Sequence, residues 1–385
     1  VNHDRLTQAA AEHDGSNRQT ALPHAASLET PTASSTATTG VWAGTEPREA
    51  FSAAVTALGE GLPAIPQIAQ PAEGGTRWAL DFLAPATGML DLPVDLTAAG
   101  WRLARGEGRE QRLSRSHTAQ ILDAVEEYHD ERPTLLTLPG PWHLIRHMSL
   151  PSGAPVLSDF GAVRDVLQAY AFAAQAHLAE VERRTGRAPR ARIVERHLDP
   201  ILTGSVPTDS GFRTLPSLPE QAVFTGLQSF LARCGSAPLL HVPKLATVRI
   251  GGKDIRHADQ LLDIGVGSIV VDLPTGSGSI GSPGEAPAVL AQWERLAEWA
   301  DAGHEVWLNF PHSIQRARLR QTLELVWEPW NRIGMSRASA AQFGVLTGFA
   351  EPVSAGLLPA EADTGTSRSL MAAAADIHNA LKEEE

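Results

Sequence analysis

Short, nearly continuous apolar runs recur along the chain, and most are followed by a stretch whose apolar positions repeat every three to four residues. The runs are Gly88–Asp95, Thr134–Leu138, Ala191–Glu195, Pro238–Val242, Ser268–Leu273, Glu305–Phe310 and Phe343–Thr347. With a strand entering at Thr38-Thr39-Gly40, the pattern predicts eight strands. Runs without polar alternation suit parallel strands covered on both faces. The intervening segments Asp159 to Arg184, Ala286 to Ala302 and Ser313 to Ile333 read as amphipathic helices, the last carrying Leu319, Leu323, Leu325 and Val326. Strands alternating with helices in this number predict an α/β fold, a (β/α)8 TIM barrel.

The ends read differently. Residues 1–38 are rich in Ala, Ser, Thr and His, too poor in large apolar side chains to offset the entropy of ordering, and are expected to be disordered. The barrel is expected over residues 39–360, and the Ala-rich stretch 361–385 is expected to be a C-terminal helix and tail. A 385-residue chain can be spent largely on one barrel domain, which at that size needs no disulfide to stay folded. The single cysteine, Cys234, excludes an intrachain disulfide and a Cys-rich zinc module. With 44 acidic against 32 basic residues the net charge is -12, which argues against a general nucleic-acid binder. No apolar run approaches the ~20 residues that cross a bilayer, and no apolar segment of a secretory signal follows the N-terminus. A cytoplasmic protein without membrane attachment is expected.

In a barrel of this kind chemistry sits at the C-terminal ends of the strands. That rule selects Trp42 after the first predicted strand, Asp95 after the second, Trp142 after the third, and Glu195 and His197 after the fourth. His241 follows on the fifth, Asp272 on the sixth, Asn309 on the seventh, and Glu351 after the eighth. Glu195 and His241 are the candidate catalytic acid–base groups, a role set against a plain ion pair of Glu195 with Arg192 or Arg196. Trp42, Asp95, Trp142, His197, Asp272 and Asn309 are the candidate substrate contacts. The tryptophans could stack on a flat ring, or could simply fill the core. His197-Leu198-Asp199 has the H-x-D spacing of iron facial triads, a pattern that any His two residues before an Asp satisfies.

Several segments taken together resemble the cobalamin-independent methionine synthase family, within the superfamily that also holds uroporphyrinogen decarboxylase. They are Gly40-Val41-Trp42-Ala43-Gly44-Thr45-Glu46-Pro47-Arg48-Glu49-Ala50, Gly61-Leu62-Pro63-Ala64-Ile65-Pro66, Asp91-Leu92-Pro93-Val94-Asp95-Leu96 and Gly140-Pro141-Trp142. Gly204-Ser205-Val206-Pro207-Thr208 continues the series, which spans Gly40 to Ala355. The resemblance implies a TIM barrel, methyl transfer from 5-methyltetrahydrofolate to homocysteine, a zinc ion that holds the substrate thiolate, and a small-molecule partner of the folate or amino-acid-thiol class. A homo-oligomer or a partner protein is left open.

The chain departs from the family at the zinc. His241-Val242-Pro243 keeps the histidine but has Pro243 in place of a cysteine, and the distant cysteine falls on Ala350. His241 is the one family ligand left, so the ligand set is incomplete. The family's Gln-x-Asp-Glu-Pro aligns with Arg192-Ile193-Val194-Glu195-Arg196, of which Glu195 alone matches. Three readings follow. One is a methionine-synthase-like methyltransferase of doubtful activity. Another is a non-catalytic barrel with a ligand-binding or regulatory role, and the third is a metal-free decarboxylase or lyase that uses Glu195, His197 or His241.

Overall fold

Six of the apolar runs, with the strand predicted to enter at Thr38, form a single parallel sheet. They are β1 (Thr36–Thr38), β2 (Leu135–Pro139), β3 (Arg190–Val194), β4 (Leu239–Val242), β5 (Ser268–Asp272), β6 (Glu305–Asn309) and β7 (Gly344–Thr347). Their order, β1-β7-β6-β5-β4-β3-β2, is that of a barrel opened between its first and second described strands. All pairings are parallel. The computed structural model describes residues 36–68, 81–208, 211–275, 286–313, 318–351, 358 and 362–383. Residues 1–35 lie outside that set, so the expectation of a disordered N-terminal segment falls almost wholly on residues not described.

The opening is spanned by Leu62–Ile65. Leu62 N donates to Thr36 O at 2.8 Å, Ile65 N donates to Leu135 O at 2.9 Å, and Leu135 N donates to Pro63 O at 2.9 Å. Ala37 and Leu62 bridge in parallel on one side, Ala64 and Leu135 on the other. Pro63 and Pro66 lack an N–H, so this segment joins the sheet through isolated bridges instead of a full ladder. The sheet is therefore a nearly closed, TIM-like barrel.

The second predicted strand, Gly88–Asp95, is a correction. Its first two residues end the helix Ala84–Met89, and Val94–Thr97 pairs antiparallel with Gly100–Leu103 in a hairpin outside the barrel. Its apolar and acidic alternation suits a hairpin with one face on the protein, whereas the Pro-broken Leu62–Ile65 carries no strand signature. The consequence is that Asp95 lies on this hairpin and not on a barrel strand, paired with Arg102 at 2.7 Å.

Within the barrel, side chains alternate as strand geometry demands. Ala37, Leu62, Ala64, Leu135, Leu239, Val270, Trp307 and Leu346 form one buried interior cluster. At the N-terminal end below it, Arg190 pairs with Glu305, which also accepts from Trp307 Nε1 at 2.7 Å. Trp307 fills so much of the interior that a Cβ on Gly344 would lie 2.3 Å from its indole, which is why β7 begins with glycine. Leu240, Val242, Ile269, Val271, Val306, Leu308 and Val345 point outward into the core under the helices.

The helices are set by local signals. Phe160–Thr185 opens at Asp159, whose side chain accepts from Ala162 N, and closes at Gly186 with φ of 68°, a left-handed cap open to glycine. Ala286–Asp301 matches its predicted span to within a residue, and Leu319–Arg332 ends within a residue of its predicted end but begins six residues after the predicted start, residues 314–317 lying outside the described set. Helix Thr364–Glu383 packs against β7 and β1, covering the join between the last strand and the first. Among the described residues no helix is long and apolar enough to cross a membrane.

Candidate functional site

Above the apolar layer, inward-facing residues of adjoining strands meet in a polar network. Arg192 on β3 and Glu351 after β7 form an ion pair at 2.7 Å, with side-chain exposures of 0% and 1%. Arg192 Nη2 lies 2.5 Å from Nδ1 of His241 on β4, and His241 Nε2 lies 3.0 Å from Asp272 Oδ1 on β5. Asn309 on β6 donates to the same carboxylate at 2.7 Å. Arg196, just past β3, reaches Asp272 at 3.1 Å and Glu351 at 3.4 Å.

These partners fix the histidine's proton. A guanidinium can only donate and a carboxylate can only accept, so His241 carries its hydrogen on Nε2 and offers the Nδ1 lone pair to Arg192. Burial, reinforced by Arg192, lowers its pKa to about 4, so the ring stays neutral. Burial alone would raise Asp272, but the hydrogen bond from His241 and the charge of Arg196 hold it well below the usual carboxylate range. Glu351 is likewise lowered, the charges of Arg192 and Arg196 outweighing its burial. Two guanidinium groups thus face two carboxylates around a neutral imidazole, and the network is self-compensated.

Glu195 stands apart from it. Neither Arg192 nor Arg196 is its side-chain partner; its Oε2 accepts from Trp142 N at 2.9 Å and His143 N at 3.2 Å, and its Oε1 from His197 N at 3.3 Å. Burial pushes its pKa up to about 8, against the pull of those backbone N–H groups. Gly140 makes room for it, since a Cβ there would lie 2.3 Å from Oε2. Glu195 is a clamp that ties the loop after β2 to the loop after β3.

The two clamped loops carry three histidines. His143 sits in the short helix Pro141–Arg146, His147 caps that helix, and His197 follows β3. Their ring centroids are 5.0 to 5.4 Å apart, and His147 Nε2 lies 3.1 Å from His197 Nε2. His143 is completely buried, and neither of its ring nitrogens has a hydrogen-bond partner. Burial lowers all three pKa values, His147 to about 3 and His197 to about 4, with His143 well below its ordinary value. His147 also lines a cleft of about 160 Å³ with Asp81, Thr97, Trp101, Arg146 and Ser149.

The structure therefore brings together His241, Asp272 and Asn309 in one network, and Glu195 and His197 at a neighbouring one. The tryptophans lie elsewhere. Trp142 is buried under the helices, its Nε1 donating to Val223 O at 3.0 Å. Trp42 is fully buried, with the Arg368 guanidinium 5.4 Å from its ring centroid. Sequence reasoning passed over His143 and His147. Their signal was the i, i+4 spacing in His143-Leu144-Ile145-Arg146-His147, which puts two imidazoles on one helix face, followed by a third after the next strand.

The zinc implied by the resemblance does not fit at His241. Both ring nitrogens are engaged, a guanidinium lies 2.5 Å from the one that carries the lone pair, and Pro243 and Ala350 offer no thiolate. Removing soft, negative ligands and adding a cation work in the same direction against a metal.

No family model matches the chain, and no curated protein matches it. Among solved structures, a methyltransferase from Methanosarcina mazei is similar at 13% identity and a TM-score of 0.48, covering 90% of this chain and 93% of that one. A candidate vitamin-B12-independent methionine synthase from Listeria monocytogenes is similar at 11% identity and a TM-score of 0.39, covering 77% of each chain. A broad-specificity endoglucanase from Clostridium acetobutylicum follows at 10% identity and a TM-score of 0.34, covering 80% of this chain and 90% of that one.

Proposed function

We propose that the barrel mouth binds a small zwitterionic, amino-acid-like ligand and that zinc-dependent methyl transfer does not run at His241. The observation that carries this reading is the Arg196–Asp272 pair, half-buried and 3.1 Å apart. The two charges lie at neighbouring strand ends, with exposures of 23% and 38%, and each is a natural partner for one end of an amino acid. A ligand carboxylate would take Arg196 and its ammonium group Asp272, replacing one ion pair by two. Asn309 holds Asp272 in place from β6. The fixed dipoles and charges beneath, Arg192 with Glu351, orient the pair but have no exposed surface to offer a ligand.

Of the readings open from the sequence, this is the ligand-binding one. A folate-dependent methyltransferase needs a thiolate-holding metal, which His241 in its present hydrogen bonds cannot supply. The test is calorimetric titration with homocysteine and with methionine, on wild type, Arg196→Ala and Asp272→Asn, beside an assay for methionine formation from methyltetrahydrofolate. Binding to wild type that both substitutions abolish, without turnover, supports the reading. Turnover, or failure of either amino acid to bind, overturns it.

A further inference from the structure

We propose that His143, His147 and His197 form a divalent transition-metal site of the zinc class, separate from the His241 network. Among the described residues they are the one grouping of three or more His, Cys, Asp or Glu side chains with ligand atoms close enough to share an ion, all within 4.8 Å of one another. The second, independent observation is His143 itself. It is fully buried, yet neither ring nitrogen meets a donor or an acceptor. An unsatisfied buried polar group costs about 1–3 kcal/mol, and a metal bond satisfies one of these nitrogens.

The spacing suits the chemistry. Two nitrogens bound to a tetrahedral zinc at ~2.0–2.1 Å lie about 3.3 Å apart. His147 Nε2 and His197 Nε2 are 3.1 Å apart, and a ring nitrogen of His143 lies within 4.8 Å of the ligand atoms of both. Three neutral imidazoles without a thiolate suit zinc, cobalt, nickel or copper better than magnesium or calcium, which prefer oxygen. Glu195 supports the arrangement from behind. It holds the backbone of His143 and His197 from one carboxyl group, so the ligands of two different loops share an anchor.

Three protein ligands leave a fourth position. His147 lines the cleft of about 160 Å³, which gives that position an approach from solvent. Arg146 on the same cleft and Arg196 nearby place positive charge beside His197, so an anionic fourth ligand, a hydroxide, thiolate or carboxylate, is favoured there. The site depends on neither the occupant of the Arg196–Asp272 pair nor its outcome in calorimetry.

The experiment uses the full chain without a histidine tag, stripped with chelator and titrated with zinc and with cobalt. Expected are near-stoichiometric zinc, a tetrahedral-type visible cobalt spectrum, and loss of both in His143→Ala and in His197→Gln, whereas His241→Ala retains them. Circular dichroism reports folding of each variant. Because His197 is only half-buried, His197→Gln gives the decisive reading if His143→Ala does not fold. Glu195→Gln is expected to weaken zinc binding by roughly 10–100-fold, the range for lost ligand support. Folded wild type that binds no zinc overturns the proposal, as does zinc binding unchanged in His197→Gln or lost in His241→Ala.

Discussion

Arg192 and Glu351 meet at 2.7 Å with almost no surface exposed on either, one on β3 and the other just past β7, across the barrel interior. The pair is the anchor of the mouth network, because Arg192 also reaches His241 and Glu351 also reaches Arg196. Removing Glu351 takes the carboxylate partner from a fully buried Arg192, and removing Arg192 leaves buried Glu351 with Arg196 at 3.4 Å in place of its closer partner. Arg192→Ala or Glu351→Ala is therefore expected to cost about 3–5 kcal/mol, and Arg192→Met with Glu351→Leu together much less than the sum. Urea denaturation of the two single variants and the double variant measures this.

The pH dependence of stability has two limbs of opposite sign. Buried His241 titrates near 6.5 when unfolded and near 4 when folded, and His147, His197 and His378 are lowered in the same sense. The unfolded chain takes up protons first, so stability is intact above about 6.5 and falls as pH drops from 6.5 towards 4. For His241 alone that amounts to about 3 kcal/mol.

Glu195 gives the alkaline limb. It titrates near 4.5 when unfolded and near 8 when folded, so its contribution is complete below 4.5 and is lost as pH rises through 8. Stability should peak near pH 6.5, where the histidine limb has ended and the carboxyl limb continues. In Glu195→Gln the decline between pH 6.5 and 8 is expected to flatten. Denaturation midpoints at half-unit pH steps check both limbs.

Close packing gives two local predictions. Gly140→Ala places a methyl group against the Glu195 carboxyl, and Gly344→Ala places one against the Trp307 indole, each at 2.3 Å by simple extension of the backbone. Overpacking of this kind costs about 1–3 kcal/mol. Gly140→Ala should in addition disturb the loop that carries His143 and His147, so the two substitutions separate by their effect on zinc retention at similar loss of stability.

Much of the barrel was legible because parallel strands buried on both faces write themselves as apolar runs, as in Leu135–Pro139 and Ser268–Asp272. The segment missed, Leu62–Ile65, is short, broken by Pro63, followed by Pro66 and held by isolated bridges, so its membership depends on neighbours and not on its own pattern. At the mouth, His241, Asp272 and Asn309 were legible from their place at strand ends. Their partners were not, since Arg192 lies two residues before the end of β3 and reads as a flanking charge. His143 and His147 were hidden just after Gly140-Pro141-Trp142, a segment read for its tryptophan.

The bridges at Leu62–Ile65 have a further consequence for the molecule under load. Every other join around the barrel is a continuous ladder, whereas this one rests on scattered hydrogen bonds to Thr36 and Leu135. Such a join is a seam, and a barrel with one seam opens along it like a split hoop before the rest of its wall gives way. Amide hydrogens of Leu62 and Ile65 should then exchange sooner than those of Val270 or Leu308, although all four residues are buried.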